Sequence, residues 1–553
     1  MELKIKQTIE RVASELFDIS IDVATDIPEE KFGDVASNIA LQLTKQVRKQ
    51  PREIAELIAK NLQQEDSVQD VSVAGPGFIN IRFRDEYLLS LVDSEPPKPL
   101  IGKKVLVEYS DPNPFKPLHA GHLYTTLVGD VLARMVESAG AETIRLNFGG
   151  DVGMHVGKTM WAILNKLGGE DVQAVKDLQI DSLGVWMGER YVEGNNAYED
   201  NETARDEIRT VNKRVYQIHK ENDHNSAFAQ IYWYLRDQSY EFFKKLYSEL
   251  QVVPFDRFIP ESEVSEPGLQ AVRKHIGSVF ENSNGAVVFN GEVYGFHTRV
   301  FINNEGLPTY EAKDVGLSLL KWNEYHADQS IIITANEQAQ YMQVVMKALE
   351  QFAPEASKTT RHLTHGVVKL SGGVKMSSRK GNILSAFDIL QAARDVAGSS
   401  ASEDTVLAAV KYALLKNRIG GDIIYDPNDS IALEGNSGPY LQYAHARACS
   451  ILLKVEDYSN LKSKKSNLEV GERTLVRKLA QFSDVVELAT AELAPHHICT
   501  YLYELAQEFN RFYEQNKVIG DARQEIRLAL VKQYKETLKN GLNLLGIHAP
   551  EKM

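Results

Sequence analysis

The chain has 553 residues, 43% of them hydrophobic and 25% charged, with a formal net charge of −14. That is material for several domains with packed cores, and too little positive charge for a protein coated to hold nucleic acid indiscriminately, although a local basic face is compatible with it. No apolar run approaches the ~20 residues of a membrane span, Met1-Glu2-Leu3-Lys4-Ile5-Lys6 begins an amphipathic pattern rather than a secretory signal, and Cys449 and Cys499 form no spaced pair, so a cytoplasmic protein without a membrane segment, a disulfide framework or a cysteine-rich zinc site is expected.

Residues 1–93 read as a small α+β domain. Helical patterns cover 3–16 and 36–46, and a third begins at Pro51, a residue suited to the first helical position. Residues 68–73 and 78–83 read as strands joined by the turn Gly75-Pro76-Gly77. Glu95-Pro96-Pro97-Lys98-Pro99 then resembles a stiff linker. Beyond it the apolar strand Val105, Leu106, Val107 runs into the loop Asp111-Pro112-Asn113-Pro114-Phe115-Lys116-Pro117-Leu118, and His119-Ala120-Gly121-His122 opens an amphipathic helix that lasts to Ala139-Gly140. Residues 143–148 follow as a second strand. In such a crossover phosphates bind where the first strand ends and the helix N-terminus offers unpaired N–H groups. His119 and His122, three apart, share one side of the first turn.

Gly149-Gly150-Asp151-Val152-Gly153 is a turn into another helix, readable either as ligand lining or as backbone geometry alone. Residues 168–225 are polar, helical and without a clear strand, as in a surface insertion. Residues 287–296, centred on Asn290-Gly291, carry a hairpin signature. The sheet resumes at 330–334, followed by a helix on which Gln340 and Gln343 share a face. Lys375-Met376-Ser377-Ser378-Arg379-Lys380-Gly381 is a basic, small-residue loop before a helix capped by Ser385 with Asp388. From about residue 405 strand signals vanish, and the remainder reads as a helical bundle.

His-x-Gly-His and Lys-Met-Ser-Ser-Arg are weak patterns singly; as a pair, each placed after a strand of a crossover sheet, they resemble the signatures of class I aminoacyl-tRNA synthetases. The fold class expected is therefore α/β, with a Rossmann-like catalytic domain carrying insertions over 94–404, the N-terminal α+β domain over 1–93, and an all-α helical bundle over 405–553. The segment Glu108-Tyr109-Ser110-Asp111-Pro112-Asn113-Pro114-Phe115-Lys116-Pro117-Leu118-His119-Ala120-Gly121-His122 narrows the resemblance to arginyl-tRNA synthetases.

That resemblance implies ligation of arginine to tRNA(Arg) at the expense of ATP, with Mg²⁺ carried by the ATP rather than by a structural metal site, in a monomeric enzyme. It assigns catalysis to His119, His122, Lys116, Lys375 and Arg379. ATP falls to His119, Gly121, His122, Gln340, Lys375, Met376, Ser377 and Ser378, and arginine to Glu108, Asp111, Asn113, Glu261, Tyr310, Asp314 and Gln343. A guanidinium is planar, permanently charged and rich in donors, so carboxylates and neutral acceptors suit it. Singly, each of these residues also reads as a solvated charge or a packing group.

Ser378 stands where many class I enzymes carry lysine, and the family pattern gives the compensating charge to Lys116; Asp111 stands where relatives often carry serine. For tRNA the resemblance points to Asn80 near the N-terminus and to Tyr440, Tyr443 and Tyr501, which could stack on unpaired bases or simply pack. A lysine or cysteine ligase, and a catalytically silent tRNA-binding paralogue, are the competing readings.

Overall fold

The computed structural model describes residues 1–178, 182–371, 384–399, 401–455 and 467–553. The chain folds into two units, one spanning Leu100–Ile431 and one joining Met1–Pro99 to Ala432–Met553. In the first, five strands make a parallel sheet: β1 (Lys104–Glu108), β2 (Glu142–Gly149), β3 (Arg257–Pro260), β4 (Gln329–Ala335) and β5 (Thr360–His365), in the spatial order β3-β2-β1-β4-β5. Their inner residues are buried on both faces, which is why β1 and β4 read as apolar runs rather than alternations. The helix α1 (Ala120–Ser138) crosses from β1 to β2, and α2 (Met154–Leu167) leaves β2. From the other side come α3 (Glu261–Lys274) after β3, α4 (Tyr310–Tyr325) before β4, and α5 (Ala339–Glu350) between β4 and β5. Strand order reverses between β1 and β4, so a crevice opens at their carboxyl ends.

The polar stretch after α2 is helical, as its composition suggests: Val172–Lys176, Leu183–Asp200, Glu202–Lys220 and Ala227–Glu249 pack on α2 around Val156, Met160, Val215, Phe228 and Leu235. Two expectations are corrected. The tight hairpin turn is not at Asn290-Gly291, where Gly291–Tyr294 forms a 3₁₀ turn, but at Asn284-Gly285, whose φ values of 49° and 81° suit a two-residue turn between Glu281–Ser283 and Ala286–Phe289. Strand structure also continues past residue 405. Ile423–Tyr425 pairs in parallel with Val368–Leu370, so this unit runs to Ile431; three residues are too short to show a period.

In the other unit an antiparallel sheet, ordered Thr25–Asp26, Val35–Ser37, Phe78–Phe83, Val68–Ala74, carries Glu2–Phe17, Ile39–Val47 and Pro51–Leu62, with Pro51 at the start of its helix. Residues after 431 form helices Gly438–Leu452, Val470–Leu479, Phe482–Glu492, His496–Gln515 and Gln524–Leu544. Arg473 ties the two parts together: it is buried, meets both oxygens of the fully buried Asp34 at 3.0 and 2.8 Å, and reaches Asp85 at 3.0 Å. No described helix is long and apolar enough to cross a membrane.

Candidate active site

α1 begins without a serine, threonine or aspartate cap. His119 takes that place with extended backbone, and its Nδ1 accepts the Gly121 N–H at 3.1 Å while the His122 Nδ1 accepts the His119 N–H at 3.2 Å. This is a reciprocal cap built from two imidazoles. The rings stack with centroids 3.8 Å apart. Burial first, and the neighbouring Lys116 with it, lowers both imidazole pKa values, His122 far below its ordinary value. Both rings are thus neutral, and because Nδ1 accepts in each, the proton sits on Nε2. Two neutral Nε2–H donors at a helix N-terminus suit phosphate oxygens. The same turn is pinned from behind: Thr125 Oγ1 lies 2.8 Å from the Gly121 carbonyl, to which it donates, and 2.7 Å from Nε2 of His365 at the end of β5. The Ala120 N–H donates to Leu384 O at 2.8 Å, next to Ser385, which makes the expected capping box with Asp388.

Four carboxylates cluster in the same unit: Asp111 feels the charge of Glu108 and Asp314, and Asp314 that of Glu108 and Glu261. Glu108 ends β1 and is bound by Lys321 at 2.7 Å, both buried. Glu261 opens α3 and is bound by the equally buried Lys313. Asp111 and Asp314 have no ion pair among the described residues. Asp111 accepts the Phe148 N–H at 2.7 Å, and burial, reinforced by Glu108, pushes its pKa well up. Asp314 accepts a hydrogen bond from the Tyr341 hydroxyl; burial outweighs that bond, and with Glu108 and Glu261 nearby its pKa rises to about 7. Asn113 accepts the Gly150 N–H at 2.7 Å. A Cβ on Gly150 would come within 2.5 Å of Asn113 Oδ1 and 2.9 Å of Glu261 Oε1, so this glycine of the turn after β2 is a close approach inside the pocket rather than backbone geometry alone. Two of the four carboxyl groups, Asp111 and Asp314, are thus without an ion pair among the described residues.

Tyr310 opens α4 half exposed, and Gln340 and Gln343 are exposed on the first turns of α5. Lys116 lies in the loop before His119, with its ammonium 5.3 Å from the Tyr191 ring centroid. Lys375, Met376, Ser377, Ser378 and Arg379 lie outside the described residues. In the other unit Tyr443 is 46% exposed, and Tyr440 is half-buried with its hydroxyl accepting from Asn510 at 2.9 Å. Asn80 sits within the central strand, 8% exposed. Tyr501 corrects an expectation: it is 2% exposed, donates to the Lys478 carbonyl at 3.1 Å and offers no face to a base, because its helix turns that side to the bundle core.

Sequence reasoning missed Lys313, Lys321, Tyr341 and Tyr191. The two lysines left a signal: they fall in register with buried Leu317 on α4, at positions 313, 317 and 321, where a charge must be paired. No cluster of three or more His, Cys, Asp or Glu suited to a metal ion occurs among the described residues.

A parallel sheet with its strand order reversing beside a paired-histidine helix start defines the catalytic domain of a class I tRNA synthetase. The family model described as tRNA synthetases class I (R), catalytic domain, matches residues 91–425; the arginyl tRNA synthetase N terminal domain matches 1–83 and the DALR anticodon binding domain 441–553. The arginine–tRNA ligase of Bdellovibrio bacteriovorus is 31% identical, over 95% of this chain and 93% of that protein, and that of Cutibacterium acnes 30%, over 95% of each. The structure of Thermus thermophilus arginyl-tRNA synthetase matches with a TM-score of 0.80 at 25% identity across 100% of both chains. The chain belongs to the arginine–tRNA ligase family.

Proposed function

We infer that the protein joins L-arginine to tRNA(Arg) for translation, using ATP as its Mg²⁺ complex, and that it does so in the cytoplasm as a monomer. In the first step a carboxylate oxygen of arginine attacks the α-phosphorus, and the new P–O bond forms in line with the breaking bridge to the β-phosphate; pyrophosphate departs with that electron pair. In the second, a hydroxyl of the terminal ribose attacks the acyl carbon, the ester forms and AMP leaves. No protein nucleophile is needed.

The observation that carries this reading is that one loop runs from Asp111, a carboxyl group without an ion pair among the described residues and within reach of the charge of Asp314, into the two neutral imidazole donors at the head of α1. Arginine brings two cationic groups and one carboxylate. Asp314, with Tyr310 and Gln343, serves the guanidinium, and Asp111 with Asn113 the α-ammonium; Glu108 and Glu261, each held by its own lysine, form the walls. Nε2–H of His119 and His122 donates to phosphate oxygens, beside Gly121 and Gln340. Lys116, Lys375 and Arg379 oppose the charge that grows on the leaving pyrophosphate, and Met376, Ser377 and Ser378 bind the nucleotide. Lys116 bears the larger share because Ser378 supplies no cation. Tyr440 and Tyr443 meet the anticodon and Asn80 meets the tRNA elbow. Adenylate formation waits for bound tRNA, as the family resemblance implies.

Arginine-dependent charging of a matched tRNA transcript tests the function. Charging with lysine or cysteine instead, or none with any amino acid despite tRNA binding, contradicts it. Pyrophosphate exchange equally fast without tRNA contradicts only the tRNA requirement.

A further inference from the structure

The helical segment between α2 and β3 is built around the loop that carries Lys116. Phe115, just before the lysine, has left-handed backbone at φ 67°, a conformation a bulky residue holds only when its surroundings impose it. Those surroundings come from outside the crossover: the Phe115 ring stacks on Tyr232 at 5.4 Å, its N–H donates to Ser239 Oγ at 3.3 Å, and its carbonyl accepts from Thr159 Oγ1 at 3.1 Å. Pro117, just after the lysine, abuts helix Leu183–Asp200 at Gly188, where an added Cβ would lie 3.1 Å from the proline Cβ. Less than one turn further along that helix, Tyr191 presents its ring to the Lys116 ammonium at 5.3 Å. Among the described residues Lys116 forms no ion pair with a carboxylate; Glu261 attracts its charge from further off, and the aromatic face lies against the ammonium itself.

We propose that this helical insertion is the positioning element for Lys116, with Tyr191 as the positioning residue whose ring holds the ammonium in the site without neutralising it. A carboxylate in that place would cancel the charge that the departing pyrophosphate needs; a ring orients it and leaves it whole. Half-burial of Lys116 also keeps its charge poorly hydrated, which strengthens what it does to a phosphate. This inference rests on the phosphate role of Lys116 given above.

The test compares Tyr191→Phe, Tyr191→Leu, Lys116→Gln and the double variant Tyr191→Leu/Lys116→Gln in tRNA-supported pyrophosphate exchange, with thermal unfolding of each. Tyr191→Leu is expected to lower the rate at saturating arginine about three- to tenfold with KM for arginine unchanged. Tyr191→Phe, which keeps the ring, stays within about twofold of the parent. In the Lys116→Gln background the leucine substitution costs nothing more. Equal losses from phenylalanine and leucine, or the full leucine loss persisting in the Lys116→Gln background, overturn the inference. An impaired Lys116→Gln with an unimpaired Tyr191→Leu overturns the positioning alone. A Lys116→Gln enzyme with the parental rate overturns the assignment of Lys116 itself, and the positioning with it.

Discussion

At the scale of single residues the pocket is governed by charge that has nowhere to go. Glu108 and Glu261 each face a buried lysine, whereas Asp111 and Asp314 accept hydrogen bonds only from neutral donors and feel the charge of Lys321 from further off. The Asp314 pKa of about 7 has a consequence for binding. Its pKa is raised in the folded protein, so below about 7 the carboxyl is protonated and must release a proton when a guanidinium arrives. Arginine affinity is expected to rise with pH up to about 7 and then level off, falling about tenfold per unit below it; calorimetric titration in buffers of different ionisation enthalpy will show the released proton, and a pH-independent affinity between 5.5 and 7, roughly that span, contradicts the assignment. For stability the sign has the same origin: the raised pKa makes the folded state bind more protons than the unfolded, so this group's contribution to stability declines as pH climbs toward 7. Gly150 offers a steric test. Gly150→Ala puts a methyl on Asn113 Oδ1 and Glu261 Oε1, and KM for arginine is expected to rise by roughly tenfold or more, with ATP affinity little changed, as for about 1.4 kcal/mol or more of overpacking.

Among the elements, α1 matters most, because the two side chains that cap it are the ones proposed for its chemistry. Nδ1 of each histidine caps the helix and Nε2 is left for the ligand, and substitutions can separate the two tasks. Asparagine carries its amide oxygen where Nδ1 sits, so His122→Asn is expected to keep the cap and to hold thermal stability within about 0.5 kcal/mol, while losing the Nε2–H donor and about 10²-fold in adenylate formation. His122→Ala loses both, adding a stability cost of about 1 kcal/mol. Unfolding curves set beside exchange rates decide the matter; an asparagine variant as active as the parent would remove His122 from the chemistry. The start of α1 is also tied to His365 on β5 and to Leu384, next to the capping box at Ser385, so three parts of the unit meet within one turn.

Across the whole chain, the two ends form one unit because buried charges bind them. Arg473 on Val470–Leu479 reaches Asp34 and Asp85, more than 380 residues away in sequence. Removing one partner of such a group leaves the other charged and dry, so Asp34→Ala is expected to cost about 3–5 kcal/mol in urea unfolding; a loss below about 1 kcal/mol would show that water reaches Arg473. Glu472, also fully buried, is clasped by Arg523 and Arg527. Burial alone would raise its pKa, but hydrogen bonds from Arg523, the Glu469 N–H and Arg527 together bring it below the ordinary carboxylate value. A lowered folded pKa gives stability that is complete above the unfolded pKa and disappears as pH falls through the folded one. Glu472→Gln is therefore expected to flatten the acid limb of the unit's stability profile, read by circular dichroism from neutral pH downward.

The crossover from Val105 to Gly149, the helix start at His119, the box at Ser385 and the proline-led helix at Pro51 were legible because each is decided by neighbours along the chain: period, cap and turn residues act over a few positions. The family motifs added Asp314 and Gln343, which local pattern alone does not single out. The turn at Asn284-Gly285 rather than Asn290-Gly291 and the short strand Ile423–Tyr425 depended on pairing partners that local pattern does not contain. So did the burial of Tyr501, since an aromatic at helical spacing is the same letter whether its face meets a core or a base. Which carboxylates keep a free charge was decided only in three dimensions: Lys313 and Lys321 sit on one helix and reach Glu261 and Glu108 on other elements. The sequence by itself determined where strands end and helices begin, and so where phosphate chemistry is possible. The tertiary structure alone decided which charges are cancelled and which remain for a substrate, because electrostatic pairing acts through space and burial, not along the chain.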